Sequence, residues 1–412
     1  MSYALGVDIN SRYSQISVYM SGDKGPVPVS AVMGQDFYEI PTMVAYVESQ
    51  NRWCYGYEAY SLSEASAAIP VDNLLRRAEA NEIVRIHGEE YPVVDLLELY
   101  IKKVLGMTNL NAPYHLADVI VFSAELLNHD SISFLNSMIK RIGIDSSKIF
   151  LLSHSECIHH YMIHQNRELW SQDVLVLDYS GEELLGKIYK VRRNTRPVVC
   201  ETEEYSYPIE LMNSDQELLP VIEKITEGKI ISSVYLIGDS SLEECCPKSI
   251  SMLCSKRRAF MGRNMYTRGA CYAAMEYAQL SKDSAGFIYL GADKLKCNVG
   301  AYIKAENGGE TFAELIEAGL NWYDVGFSKR FFVDTSKDIR LVLKPIDGSQ
   351  ERDVIIRLND FPKRPPHCTQ IRLLLYMDKP QELSVEIKDI GFGEIFPSSD
   401  LSIKEIVSME DL

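Results

Sequence analysis

Two acids stand at matching places in two similar stretches. Leu5-Gly6-Val7-Asp8-Ile9 carries an apolar run into Asp8, Asn10-Ser11-Arg12-Tyr13 turns, and an alternating apolar run continues to Tyr19. Asp173-Val174-Leu175-Val176-Leu177-Asp178 does the same, followed by Tyr179-Ser180-Gly181 and a second run from Leu184 to Val191. Both predict strand, tight turn, strand, with a tip of backbone N–H groups and small hydroxyls. An acid at the end of such a strand is placed to address a bound metal or phosphate. The plain alternative is a pair of ordinary hairpins with solvated acids. The repetition points instead to two related half-domains facing a shared cleft.

The elements that must position these acids follow the hydrophobic pattern. Between Pro92 and Met107, apolar residues recur at Val93, Leu96, Leu97, Tyr100, Ile101, Val104 and Leu105, the three- and four-residue steps of an amphipathic helix. Ala117–Phe122 predicts a strand, 130–142 a helix ending at Gly143, Ile149–Leu152 a strand, and a further helix runs through Tyr161. That succession is an α/β crossover unit. Within the polar stretch 192–232, a helix is expected from Gln216 to Glu227. From about Ser284 alternation takes over, with runs such as Ile339–Leu343, Val354–Leu358, Ile371–Tyr376 and Leu383–Ile387 between Gly, Pro and Asp turns. Short strands so separated predict a β-sandwich.

At 412 residues and 46% apolar content, the chain has room for two or three domains with sizeable cores. Its formal charge of −16 argues against nucleic acid or an anionic membrane as the main partner, since both need a basic face. No apolar run is long enough to cross a bilayer, and Met1-Ser2-Tyr3-Ala4 lacks a secretory signal's basic and apolar regions, so a cytoplasmic location is expected. Nine scattered cysteines without a C-x-x-C pair support neither disulfides nor zinc. His154, His159, His160 and His164 lack a matching ligand spacing and read as a helix face without metal.

The order of these pieces resembles the actin-like ATPase superfamily, and within it the DnaK-type heat-shock chaperones. The two Asp hairpins resemble its first and second phosphate loops. Glu39-Ile40-Pro41-Thr42, an apolar strand, a turn, an aromatic strand and Gly56-Tyr57-Glu58-Ala59 resemble the opening subdomain. Val234-Tyr235-Leu236-Ile237-Gly238-Asp239-Ser240 is similar to the adenosine motif, whose glycine turn lets backbone approach a base closely. Gly269-Ala270 with Ala273-Ala274 resembles the family's small-residue helix. Asn359 to Pro366, the following strands and Lys388-Asp389-Ile390-Gly391 resemble its peptide-binding sandwich, without the helical lid. The resemblance implies an α/β fold: a two-lobed actin-like ATPase (duplicated ribonuclease H-like) domain over 1–284, its second-lobe insertion shortened, then a β-sandwich over 288–412. It implies ATP or ADP with Mg²⁺. Asp8 and Asp178 become the metal-facing and catalytic acids, and Asn10, Ser11, Arg12, Ser180, Gly181, Gly238, Asp239 and Ser240 the nucleotide contacts.

The loops depart from that pattern. The family's Gly-Thr-Thr-Asn is Asn10-Ser11-Arg12-Tyr13 here, and Gly-Gly-Gly-Thr is Ser180-Gly181-Glu182-Glu183. Two like charges about 4 Å apart repel by roughly 4 kcal/mol at an effective dielectric near 20. Glu182 and Glu183 would thereby remove a large share of the roughly 8 kcal/mol of a micromolar complex. Arg12 could offset part of this. Arg76 and Arg77 are the candidate cations for phosphoryl transfer, and the acid of the family's Glu-Pro-Thr passage is lost or shifted in Ser153-His154-Ser155-Glu156. The expected function is a chaperone-like protein with a degenerate nucleotide site, ATP/ADP binding being weak or absent, that binds a protein or peptide partner through 288–412. A slow Mg²⁺-dependent ATPase and a scaffold of actin-like fold are the alternatives.

Overall fold

The computed structural model describes residues 2–32, 34–108, 114–125, 127–181, 183–208, 214–238, 244–280, 286–304, 309–333 and 338–409. It is a mixed α/β chain in two compact units, one of 1–191 with 202–285, the other of 192–201 with 286–412.

The first unit holds two sheets built to one plan. In the first, Tyr3–Ile9 lies between the antiparallel strand Tyr13–Met20 and the parallel strand Val119–Ala124, which pairs in parallel with Ile149–Ser153. In the second, Asp173–Asp178 lies between antiparallel Glu183–Arg192 and parallel Ile231–Ile237, which pairs in parallel with Arg258–Met261. Both central strands are covered on two faces, which explains their unbroken apolar runs. Helix Met265–Tyr277 packs on strand Tyr3–Ile9 and on helix His154–Ile163. Small residues make that approach close: a Cβ on Gly6 would land on the Thr267 carbonyl oxygen, and one on Gly269 on that of Cys157.

Helix Val93–Leu105 buries Val93, Leu96, Leu97, Tyr100, Ile101, Val104 and Leu105, the same seven positions that the periodicity marks. Helix His129–Ile142 starts on an Asn128–Ser131 capping box and stops at Gly143, whose φ of 81° suits glycine. All nine cysteines are free thiols. No helix among the described residues is long and apolar enough to cross a membrane.

The second unit holds two antiparallel four-stranded sheets. One runs in the order Glu310–Ile316, Cys297–Lys304, Asp338–Pro345, Arg352–Arg357; the other runs Gly326–Val333, Thr369–Lys379, Glu382–Gly391, Ser402–Ser408. Val198–Glu201 pairs in parallel with Phe287–Leu290. One buried ion pair ties the unit's loops together. The Arg364 guanidinium meets both Asp389 oxygens at 2.6 and 2.7 Å and donates to the Pro397 carbonyl at 2.9 Å.

Candidate functional site

Parallel strands that end side by side bring distant residues together at their carboxyl ends, where open α/β sheets place their sites. Register sets Asp8 beside Ser123, and Ala124 beside Ser153, so His154 follows directly at the head of helix His154–Ile163. The result is a fully buried carboxylate with fixed partners. Ser123 Oγ donates to Asp8 Oδ1 at 2.8 Å, and His154 Nε2 lies 2.6 Å from the same oxygen. A carboxylate only accepts, so Nε2 carries the proton. Asp8 Oδ2 is buried with no hydrogen-bond partner among the described residues.

The imidazole of His154 stacks on the Tyr266 ring, with centroids 3.7 Å apart and planes at 12°. The Tyr266 hydroxyl donates to Asp178 Oδ2. Ser180 closes the other side of Asp178, its N–H and its hydroxyl reaching Oδ1 at 2.9 and 2.6 Å. Burial, then the charge of Asp178, push the Tyr266 hydroxyl well above the ordinary tyrosine value. Tyr13 is raised likewise, first by burial and then by the Asp8 charge, against a hydrogen bond with Ser180. Asp8, His154, Tyr266 and Asp178 thus form a continuous run of contacts from one hairpin to the other.

The two turns are closed by their own groups. Asn10 Oδ1 accepts from the N–H groups of Arg12 and Tyr13, both at 2.9 Å, so its side chain caps the turn. Arg12 reaches across to the Ser180 carbonyl at 3.1 Å. Asn10, Ser11, Arg12, Ser180 and Gly181 line a cavity of about 270 Å³ with His154 and Asp178. Arg76 lines it too, whereas Arg77 pairs with Glu82 at 2.8 Å. The Ser206 hydroxyl donates to Glu183 at 2.5 Å.

Gly238 lines a second, larger cavity of about 550 Å³ with Tyr13 and Tyr266. Its φ of 141° and the Tyr179 ring beside it leave no room for a Cβ. Asp239, Ser240 and Glu182 lie outside the described residues. Among the described residues no three His, Cys, Asp or Glu side chains form a group suited to a metal ion. His160 and His164 instead face Glu276 at 3.0 and 3.5 Å.

Family models match nearly the whole length. One described as "Family of unknown function (DUF5716) C-terminal" spans residues 25–292, and "Domain of unknown function (DUF8552)" spans 294–409. The chain belongs to the DUF5716 C-terminal family. No curated protein matches the sequence. Of the four residues in the run, His154, Asp178 and Tyr266 fall within the DUF5716 span, and Asp8 precedes it.

Sequence reasoning missed Ser123, His154 and Tyr266. A signal for His154 was present: it stands in Ser153-His154-Ser155-Glu156, the passage whose resemblance implies an acid that is lost or shifted here. For Ser123 and Tyr266 the sequence carried none, because their roles depend on which strand and helix lie beside the acids.

Proposed function

We propose that this chain is a partner-binding protein on an actin-like fold whose phosphate cradle is closed by its own side chains. One observation carries the reading: Asp8 is held by His154, His154 lies on Tyr266, and Tyr266 holds Asp178. In the resembling family the corresponding acids face hydrated Mg²⁺ between the lobes. Here one Asp8 oxygen and both Asp178 oxygens are engaged by protein donors, and an imidazole and a phenol stand against them. These residues do not fit a magnesium nucleotide. The like order and strand directions of the two sheets in the first unit support the duplicated, actin-like reading. Two antiparallel four-stranded sheets support a sandwich in the second unit, the part assigned to the protein partner.

Isothermal titration of the full chain with ATP and with ADP, each with Mg²⁺, tests the closed cradle. The expected result is no micromolar binding. A micromolar complex weakened by Asp8→Ala would overturn it.

A further inference from the structure

The sheet containing Gly326–Val333 and Thr369–Lys379 buries Ile371, Leu373 and Leu375 on one face, each at most 2% exposed. Alternation puts Arg372 on the opposite face. Register places Arg330 directly across from Arg372, and Arg372 directly across from Lys388. Three cations therefore cross three strands in one row about 10 Å long, at about 4.8 Å per strand. Like charges directly opposite each other destabilise a sheet. Within the described residues Arg330 and Arg372 have no ion-pair partner, and Lys388 Nζ is 3.7 Å from Asp400, itself 84% exposed. Glu386 stands on the same face two residues from Lys388 but is ion-paired to none of the three.

An apolar patch adjoins the row. Phe332 follows Arg330 on the same face, is 57% exposed, and meets the Phe392 ring edge-on at 5.8 Å. Ile395 nearby in sequence is 84% exposed. Strand Gly326–Val333 pairs only with Thr369–Lys379 among the described residues, which makes it an edge strand of its sheet there. A basic row is out of character in a chain of net charge −16, and it favours an anionic occupant of limited length over a long polyanion.

We propose that this face binds an extended acidic protein segment with one apolar anchor. Its carboxylates meet Arg330, Arg372 and Lys388, and its anchor covers Phe332 and Phe392. The inference rests on the partner-binding reading above and supplies the partner's chemistry.

The test is fluorescence anisotropy of the full chain with a labelled synthetic peptide of alternating Glu and a central Phe. Its controls carry Lys for Glu, or Ser for Phe. The Glu–Phe peptide is expected to bind in a salt-sensitive way and the controls at least tenfold more weakly, about 1.4 kcal/mol. The double variant Arg330→Ser/Arg372→Ser is expected to lose at least tenfold while its melting temperature holds or rises, because cross-strand repulsion is relieved. Equal binding by that variant, or by the Lys peptide, would overturn the inference. Displacement by inorganic phosphate alone, or a dimer in sedimentation that the same substitutions dissolve, would also overturn it, by naming a different occupant. Panning a random peptide library separates the two levels. Binders indifferent to the double substitution sink only the acidic-segment inference; a library that yields no binder sinks the partner-binding reading as well.

Discussion

His154 Nε2 lies 2.6 Å from Asp8 Oδ1, and both side chains are buried in the first unit. Removing His154 leaves the buried Asp8 carboxylate with the Ser123 hydroxyl as its remaining donor among the described residues. His154→Ala is therefore expected to destabilise the protein by about 1.5–3 kcal/mol. Asp8→Asn in the same chain is expected to recover part of the loss, because no charge is then stranded. Urea denaturation of the two single variants and the double variant measures the coupling. Additive losses would show that the pair has no energetic link.

The second half of the run gives an alkaline prediction. The Tyr266 hydroxyl is held neutral well above its ordinary value, by burial first and by Asp178 second. A raised value in the folded state means that its stabilisation is complete below the unfolded tyrosine value of about 10 and is lost as pH rises beyond it. Tyr266→Phe removes the hydrogen bond to Asp178 and is expected to cost about 1–3 kcal/mol at neutral pH. It is also expected to flatten the fall in stability above pH ~10. Melting curves across that range check both effects.

The course of the chain was legible where burial imposes a period. All seven apolar positions of helix Val93–Leu105 and the strand ending on Asp178 came directly from the pattern, because a buried stripe and a doubly covered strand each leave a mark. The partners of the two acids were not legible. His154 is 146 positions from Asp8, and Tyr266 is 88 from Asp178, so strand order and helix packing decide these contacts rather than local spacing. Asn10 shows a further limit. The family resemblance implies a glycine of a phosphate loop at its place; in the structure its side chain closes the turn on the N–H groups of Arg12 and Tyr13.

The close approach of helix Met265–Tyr277 to helix His154–Ile163 holds Tyr266 and His154 in register. Gly269 sits where a Cβ would meet the Cys157 carbonyl oxygen, and helix backbone cannot swing aside as a side chain does. Gly269→Ala is expected to cost at least about 2 kcal/mol even though alanine favours a helix. Near-ultraviolet circular dichroism, which reads the packing of the tyrosine rings, should change with it. An unchanged spectrum and melting temperature would remove Gly269 from the packing account.

The Arg364–Asp389 pair makes the second unit sensitive to acid. Burial alone would raise the Asp389 carboxyl; the Arg364 guanidinium, the Ser399 hydroxyl and N–H and the Gly391 N–H outweigh it and hold the value well below the carboxylate range. A depressed value in the folded state means stability that is present above the unfolded value of about 3.9 and is lost as pH falls below it toward the folded one. Arg364→Ala strands a buried carboxylate and is expected to destabilise the unit by about 3–5 kcal/mol at neutral pH. Arg364→Lys is expected to recover only part of this, since one ammonium cannot reproduce two parallel bonds and the third to Pro397. Acid titration of the wild-type chain and of both variants, followed by circular dichroism, distinguishes the outcomes. The wild type should unfold cooperatively as the pH falls through the carboxylate range, and Arg364→Ala should begin to unfold at a higher pH. Coincident acid transitions would show that this pair does not govern the unit's stability.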